Sequence, residues 1–157
     1  MKKLYFIDTE FIESPNTIQL ISIGIKCEDG RRFYAISNEF KEETASDWVK
    51  ENVITKLENI ERKSIEEIKY GILRFTKGTS PEFWGYYADY DWVVFCWIFG
   101  TMMELPANYP MYCKDLKQLI DESDKKIIAK PIGEHNALVD AEWNEKLYKH
   151  LFSPNSK

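Results

Sequence analysis

The chain has 157 residues, 44% of them hydrophobic and 15% aromatic, which excludes a disordered protein and fits one globular domain burying roughly 70% of its unfolded surface. Its 21 basic and 26 acidic side chains leave a net charge of −5. That balance argues against broad electrostatic capture of long nucleic acid, but not against an enzyme that meets phosphates through bound cations.

Residues 4–7, Leu-Tyr-Phe-Ile, are apolar without a break, the mark of a strand buried on both faces. Asp8 and Glu10 follow two positions apart, and on a strand that spacing aims both carboxylates to one side. The "SPN" at 14–16 makes a turn, and "TIQLISIGIKC" reads as a second strand running to the hairpin signal "EDG". "RRFYAIS" is a third strand, so the opening reads as an antiparallel meander. Residues 40–77 are charge-rich with apolar residues at helical spacing, and Ser64 with Glu67 resembles a capping box. "PEFWGYYA" is a fourth strand, followed by "DWVVFCWIFGTMMEL", a buried helix beginning near Trp92. "MYCKDLKQLIDES" reads as a short strand and then a helix, with Asp115 at the turn. The "KKIIAKPIG" loop leads into a last helix from about Asn136 to Leu151. The order βββαβαβα predicts an α/β fold, a mixed sheet with helices packed on it. One domain is expected over residues 1–152, with a frayed polar tail over 153–157.

Cys27, Cys96 and Cys113 lie far apart, odd in number and without a CxxC, as expected of reduced thiols in a cytoplasmic protein. "MKK" runs straight into an apolar stretch of only four residues, so no signal peptide is expected, and no segment is long enough to span a membrane.

Three stretches carry chemistry. Two carboxylates about 4 to 5 Å apart, as Asp8 and Glu10 would be, repel by about 4 kcal/mol at an effective dielectric of 20. Spreading into water, protonation or a bound cation relieves this. Alone the pair reads equally as a solvated strand end, but a sheet centre is a poor place for idle charge. In "YYADYDW", residues 86–92, Asp89 and Asp91 stand where a buried strand gives way to a helix. Acids cap helices there, and ligands bind there in α/β sheets. In "GEHNALVDAEW", residues 133–143, His135 sits on a loop and Asp140 one turn into a helix capped by Asn136. On one helix they would stand roughly 140° apart, so joint use needs His135 off the helix. The other histidine, His150, reads as a surface residue near a helix end.

Taken together, Asp8, Glu10, Asp91, His135 and Asp140 resemble the DEDDh exonucleases of the RNase H-like fold. The resemblance runs from residue 4 to about 151 and rests on "DTE", "YADYD" and "HNALVD". "DTEF" with "HNALVDA" looks most like the short bacterial and phage exoribonuclease branch, the RNase AS type. One departure stands out: many relatives have Asn-Ala-x-Phe-Asp in the second motif, where this chain has Tyr87 and Tyr90 for the Asn and Phe. The register places the acid at Asp91, with Asp89 its rival, and the lost Asn bears on substrate contacts more than on metal binding.

The resemblance implies an RNase H-like mixed sheet with helices on both faces, and a metal-dependent 3'-5' exonuclease. The substrate would be a single-stranded nucleic acid 3' end, RNA favoured over DNA, with nucleoside 5'-monophosphates released. Two divalent cations, Mg²⁺ or Mn²⁺, are implied, and an all-oxygen ligand set suits such hard ions. Asp8 would bridge both, Glu10 and Asp140 would complete one site, and Asp91 would support the other. His135 would act as general base, with an ordinary imidazole pKa of about 6.5. Phe11 would stack on the terminal base, its alternative being a core position. Relatives of this type are often homodimers, which would help a small acidic domain enclose its substrate. A non-catalytic binding module on the same fold and a DNA-directed exonuclease remain open; the His-x4-Asp third motif speaks against an internally cutting nuclease.

Overall fold

The computed structural model describes residues 1–154. Lys2–Ser14 (β1) runs through the middle of a five-stranded sheet ordered β3-β2-β1-β4-β5. It pairs antiparallel with Thr17–Cys27 (β2), which pairs antiparallel with Arg32–Ile36 (β3). On its other edge β1 pairs parallel with Ser80–Gly85 (β4), which pairs parallel with Lys114–Asp115 (β5). Five α-helices complete the fold among the described residues: Asp47–Asn52 (α1), Ile65–Phe75 (α2), Asp89–Phe99 (α3), Leu116–Asp121 (α4) and Ala137–Phe152 (α5). This is the expected mixed α/β sheet.

The alternation along β1 divides the core. Tyr5 and Ile7 face Ile68 and Ile72 of α2 and Trp92 and Phe95 of α3. Phe6 faces the opposite way, onto Leu116 of α4 and Trp143 and Leu147 of α5. Helices therefore cover both faces, which is why the Leu-Tyr-Phe-Ile run carries no polar residue.

Strand β4 is short. It pairs β1 only from Lys2 to Phe6, while β1 continues beside β2 to Ser14. Beyond Phe6, β1 has a sheet partner on one side only, and a crevice opens at the carboxyl end of β4.

Several boundaries differ from the sequence reading. Residues 40–77 hold two helices, α1 and α2, separated by a short 3-10 turn at Ile54–Lys56. The Ser64–Glu67 capping box forms, with each side chain accepting the other's backbone N–H at 3.1 Å. Strand β4 stops at Gly85 rather than Ala88, because the Asp115 carboxylate accepts the Tyr87 N–H at 3.2 Å and the Ala88 N–H at 2.9 Å. Tyr87 takes a φ of 52° in that turn, and α3 then begins at Asp89, ahead of Trp92. The same helix ends at Phe99, where Gly100 adopts a φ of 120°, and Met102–Glu104 makes a separate 3-10 turn instead of prolonging it.

The start of the tail is held rather than frayed. Lys125 donates to the carbonyls of His150, Leu151 and Ser153 at 2.8, 3.1 and 2.5 Å, closing the C-terminus of α5. The expectation for residues 155–157 lies outside the described residues. Among the described residues no helix is long and apolar enough to cross a membrane.

Candidate active site

Asp8 and Glu10 occupy the stretch of β1 that has passed the end of β4, on the side facing α5. Helix α5 reaches them because Gly24 lies opposite Asp8 on β2. A Cβ on Gly24 would stand 2.3 Å from the Ala137 carbonyl oxygen and 2.4 Å from the Leu138 Cα. The bare glycine lets the first turn of α5 lie directly on the sheet, which carries Asp140 toward Asp8. Asn136 starts that helix as expected, its Oδ1 accepting the N–H groups of Leu138 at 3.0 Å and Val139 at 3.1 Å.

Asp8, Glu10, His135 and Asp140 line one cavity of about 380 Å³ together with Glu134, Lys130, Tyr86, Tyr87, Trp143 and Asn144. Ligand atoms of Glu10, His135 and Asp140 all lie within 4.8 Å of one another. His135 stands off the helix, on the loop before it, with a φ of 71°. Its backbone N–H donates to Asp140 Oδ2 at 2.9 Å, and its ring meets the Trp48 ring edge-on at 5.0 Å.

Asp91 approaches from the opposite face and does not line this cavity. It is 5% exposed, and its Oδ1 accepts the Thr9 N–H at 3.0 Å as well as the Thr9 hydroxyl. It thus completes β1 where β4 has ended, taking the N–H that a neighbouring strand would otherwise take. Asn144 does the same for a carbonyl, donating from Nδ2 to Ile7 O at 2.8 Å. Asp89, the rival in the second motif, is exposed in the first turn of α3. Neither acid caps that helix, whose N-cap is Ala88.

The electrostatics are those of acids gathered out of water. Burial is the largest cause pushing the Asp8 carboxyl far above the usual carboxylate range, followed by the charges of Asp91, Glu10 and Asp140. Glu10 is pushed up to about 9, by burial first and then by Asp140 and Asp91. Asp91 rises to about 7 through burial, against the lowering effect of its hydrogen bonds from Thr9. Burial also raises Asp140. Asp8 Oδ2 and Asp140 Oδ1 are buried with no hydrogen-bond partner. Unpartnered carboxylate oxygens of this kind are rare, and two of them on residues lining a shared acidic cavity could serve as donors to a hard cation.

Phe11 is half-buried against the α2/α3 side of the core and 6.1 Å from the Tyr90 ring. It lines an adjoining hollow of about 340 Å³ with Trp48, and Glu10 borders both spaces. Core contact and an exposed edge beside the site therefore coexist in this one residue.

Some site residues escaped the sequence reading. Asn144 and Trp143 were within reach, since positions 140, 143, 144 and 147 share one helix face. Thr9 gave no signal of its own. Lys130, in an irregular loop, gave none either.

Comparison with known proteins bears on this geometry. A family model described as the 3'-5' exoribonuclease Rv2179c-like domain matches residues 3–152. Two curated proteins of Mycobacterium tuberculosis, named 3'-5' exoribonuclease MT2234.1 (strain CDC 1551 / Oshkosh) and 3'-5' exoribonuclease Rv2179c (strain ATCC 25618 / H37Rv), are each 41% identical over 144 residues. The alignments cover 87% of this chain and 86% of each relative. With nearly the whole chain matched and the acidic cavity inside the matched span, this chain belongs to the Rv2179c-like 3'-5' exoribonuclease domain family.

Proposed function

We propose that the chain hydrolyses the last phosphodiester at the 3' end of single-stranded RNA and releases nucleoside 5'-monophosphates, using the DEDDh residues Asp8, Glu10, Asp91, His135 and Asp140. The observation that carries this reading is the meeting of three of those acids with the sole loop histidine around two unpartnered buried carboxylate oxygens, in a member of this family. Asp8, Glu10 and Asp140, with Asp91 behind them, would hold two divalent cations, Mg²⁺ or Mn²⁺. Bound there, such ions supply Lewis-acid activation of water and neutralise charge on the leaving 3' oxygen. The acids contribute by keeping the ions fixed, and the Thr9 and Asn144 hydrogen bonds hold the strand that carries two of them.

His135 takes the proton of the attacking water at an imidazole nitrogen. Its backbone is tied to Asp140 and its ring rests on Trp48, so the base stays beside the cavity while remaining on a loop. Phe11 and Trp48 border the adjoining hollow as stacking surfaces for the terminal nucleotides. A homodimer and a cytoplasmic setting belong to the same reading.

The closeness of His135 to Glu10 and Asp140 favours a second reading in which the imidazole is itself a cation ligand. The two differ in one experiment. With 5'-labelled RNA and DNA oligomers, Mg²⁺ or Mn²⁺ should produce a ladder shortening from the 3' end of RNA, and chelator should stop it. His135→Ala should slow that reaction by about 10²- to 10⁴-fold while the cation concentration for half-activation stays put. A large rise in that concentration makes His135 a ligand, and a wild-type rate removes it from the site. No cleavage of either polymer by the wild type would leave a binding module.

The same site fixes a pH dependence of stability. Glu10 and Asp91 have folded pKa values of about 9 and about 7, above their unfolded values near 4. Between those limits the folded state holds protons that the unfolded state has lost, so stability falls as pH rises. The chelated protein should melt at a lower temperature at pH 8 than at pH 5, and Mn²⁺ should raise the melting point more at pH 8. A chelated protein whose melting point is flat or rising across that window would contradict the buried acidic cluster.

A further inference from the structure

Among the described residues, Lys130 is the only lysine or arginine lining the cavity, against the carboxylates of Asp8, Glu10, Glu134 and Asp140. It makes no ion pair with any of them among the described residues. Two aromatic rings hold it instead: its Nζ stands 3.9 Å from the centre of the Trp143 ring and 4.4 Å from that of Tyr86. The preceding residue is fixed by the same tryptophan, whose Nε1 donates to the Ala129 carbonyl at 2.8 Å. The loop is also pinned farther back, where Lys125 clasps the end of α5 and His150 Nε2 meets the Lys126 carbonyl at 2.9 Å. An exposed lysine with four free stem torsions is thereby placed at one spot over the cavity.

We propose that Lys130 contacts a non-bridging oxygen of the scissile phosphate, a substrate-binding and transition-state role that rests on the exonuclease reading above. The phosphate brings a negative charge into a cavity already lined by acids, and in-line displacement keeps that charge on the equatorial oxygens. A preorganised cation aimed at them stabilises the transition state more than the free reactants. Rings, unlike carboxylates, leave the ammonium's three N–H donors uncommitted to another anion. The competing role is simple charge balance, in which Lys130 only relieves repulsion among Asp8, Glu10 and Asp140.

The two roles separate in Lys130→Met, a change at an exposed side chain, measured beside Lys130→Arg. At saturating Mn²⁺ the contact predicts a 10- to 100-fold fall in kcat/KM for RNA in the methionine variant, with partial recovery in the arginine one. It also predicts that nucleoside 5'-monophosphates with Mn²⁺, which should raise the wild-type melting point, raise that of Lys130→Met less. Charge balance alone predicts tighter Mn²⁺ binding with kcat/KM and nucleotide binding unchanged once the cation saturates, and that result overturns the proposal. If the wild type cleaves nothing, the exonuclease reading fails by itself. The nucleotide melting shift then decides the Lys130 contact: a shift equal in both proteins, or none in either, overturns it.

Discussion

Asp8→Asn is expected to abolish RNA cleavage, by about 10³-fold or more, while raising the melting temperature of the cation-free protein at pH 8. Both effects come from one oxygen. Asp8 is buried, its Oδ2 has no partner, and three neighbouring carboxylates oppose its ionisation. Burial and those neighbours hold the proton on this carboxyl to a higher pH in the cation-free folded state than in the unfolded chain. That difference costs about 1.4 kcal/mol for each pH unit above the unfolded pKa, until the folded pKa is reached. An amide has nearly the same shape, needs no proton, and can donate to the carboxylates that repelled the acid. The advantage of Asp8→Asn should therefore shrink as pH falls through about 4, below which aspartate is protonated in both states. Divalent cations are expected to lift the wild-type melting point and to lift that of the variant much less. The paired outcome matters. A variant that melts lower at every pH makes Asp8 a structural residue, and one that still cleaves removes it from the site.

How far the sequence announced this site depended on the distance over which each cause acts. The carboxylate pair was legible because strand alternation acts over two residues, and four apolar neighbours said which strand. The start of α5 was legible because Asn136 caps it through N–H groups two and three residues away. The junction of β4 and α3 was misjudged by three residues, since its boundary is set by Asp115 gripping the Tyr87 and Ala88 amides from 28 and 27 residues downstream. Asp91 is singled out by its motif, but its place is not: only the parity of β1 and the early stop of β4 turn it into a partner for Thr9. Phe11 divides between core and site because it keeps the parity of Tyr5 and Ile7, which turns it to the α2/α3 core, while it also borders the hollow beside Glu10. Lys130 is placed by the ring of Trp143, 13 residues downstream, and no local pattern around the lysine encodes that contact.

Gly24→Ala tests the device that assembles the site rather than any group in it. A methyl at this position meets Ala137 O at 2.3 Å and Leu138 Cα at 2.4 Å, about 1 Å inside ordinary contact. Both neighbours are backbone, so truncating Ala137 relieves nothing and no rotamer change can. The first turn of α5 has to lift from β2, carrying His135 and Asp140 away from Asp8 and Glu10. Overpacking of this kind costs about 1–3 kcal/mol, while a displacement of about 1 Å in a catalytic group costs on the order of 10²-fold in rate. Gly71 supplies the control: a Cβ there would meet only the Phe33 ring, at 2.8 Å, on a helix remote from the cavity. Gly71→Ala should lower the melting point or leave it near wild type, with cleavage by the folded protein unchanged. Gly24→Ala should lose cleavage by about 10²-fold at temperatures where circular dichroism shows it fully folded, and its melting response to Mn²⁺ should weaken in parallel. If its activity instead follows only its folded fraction, the close approach at Gly24 serves packing and the acids of the cavity tolerate a looser helix.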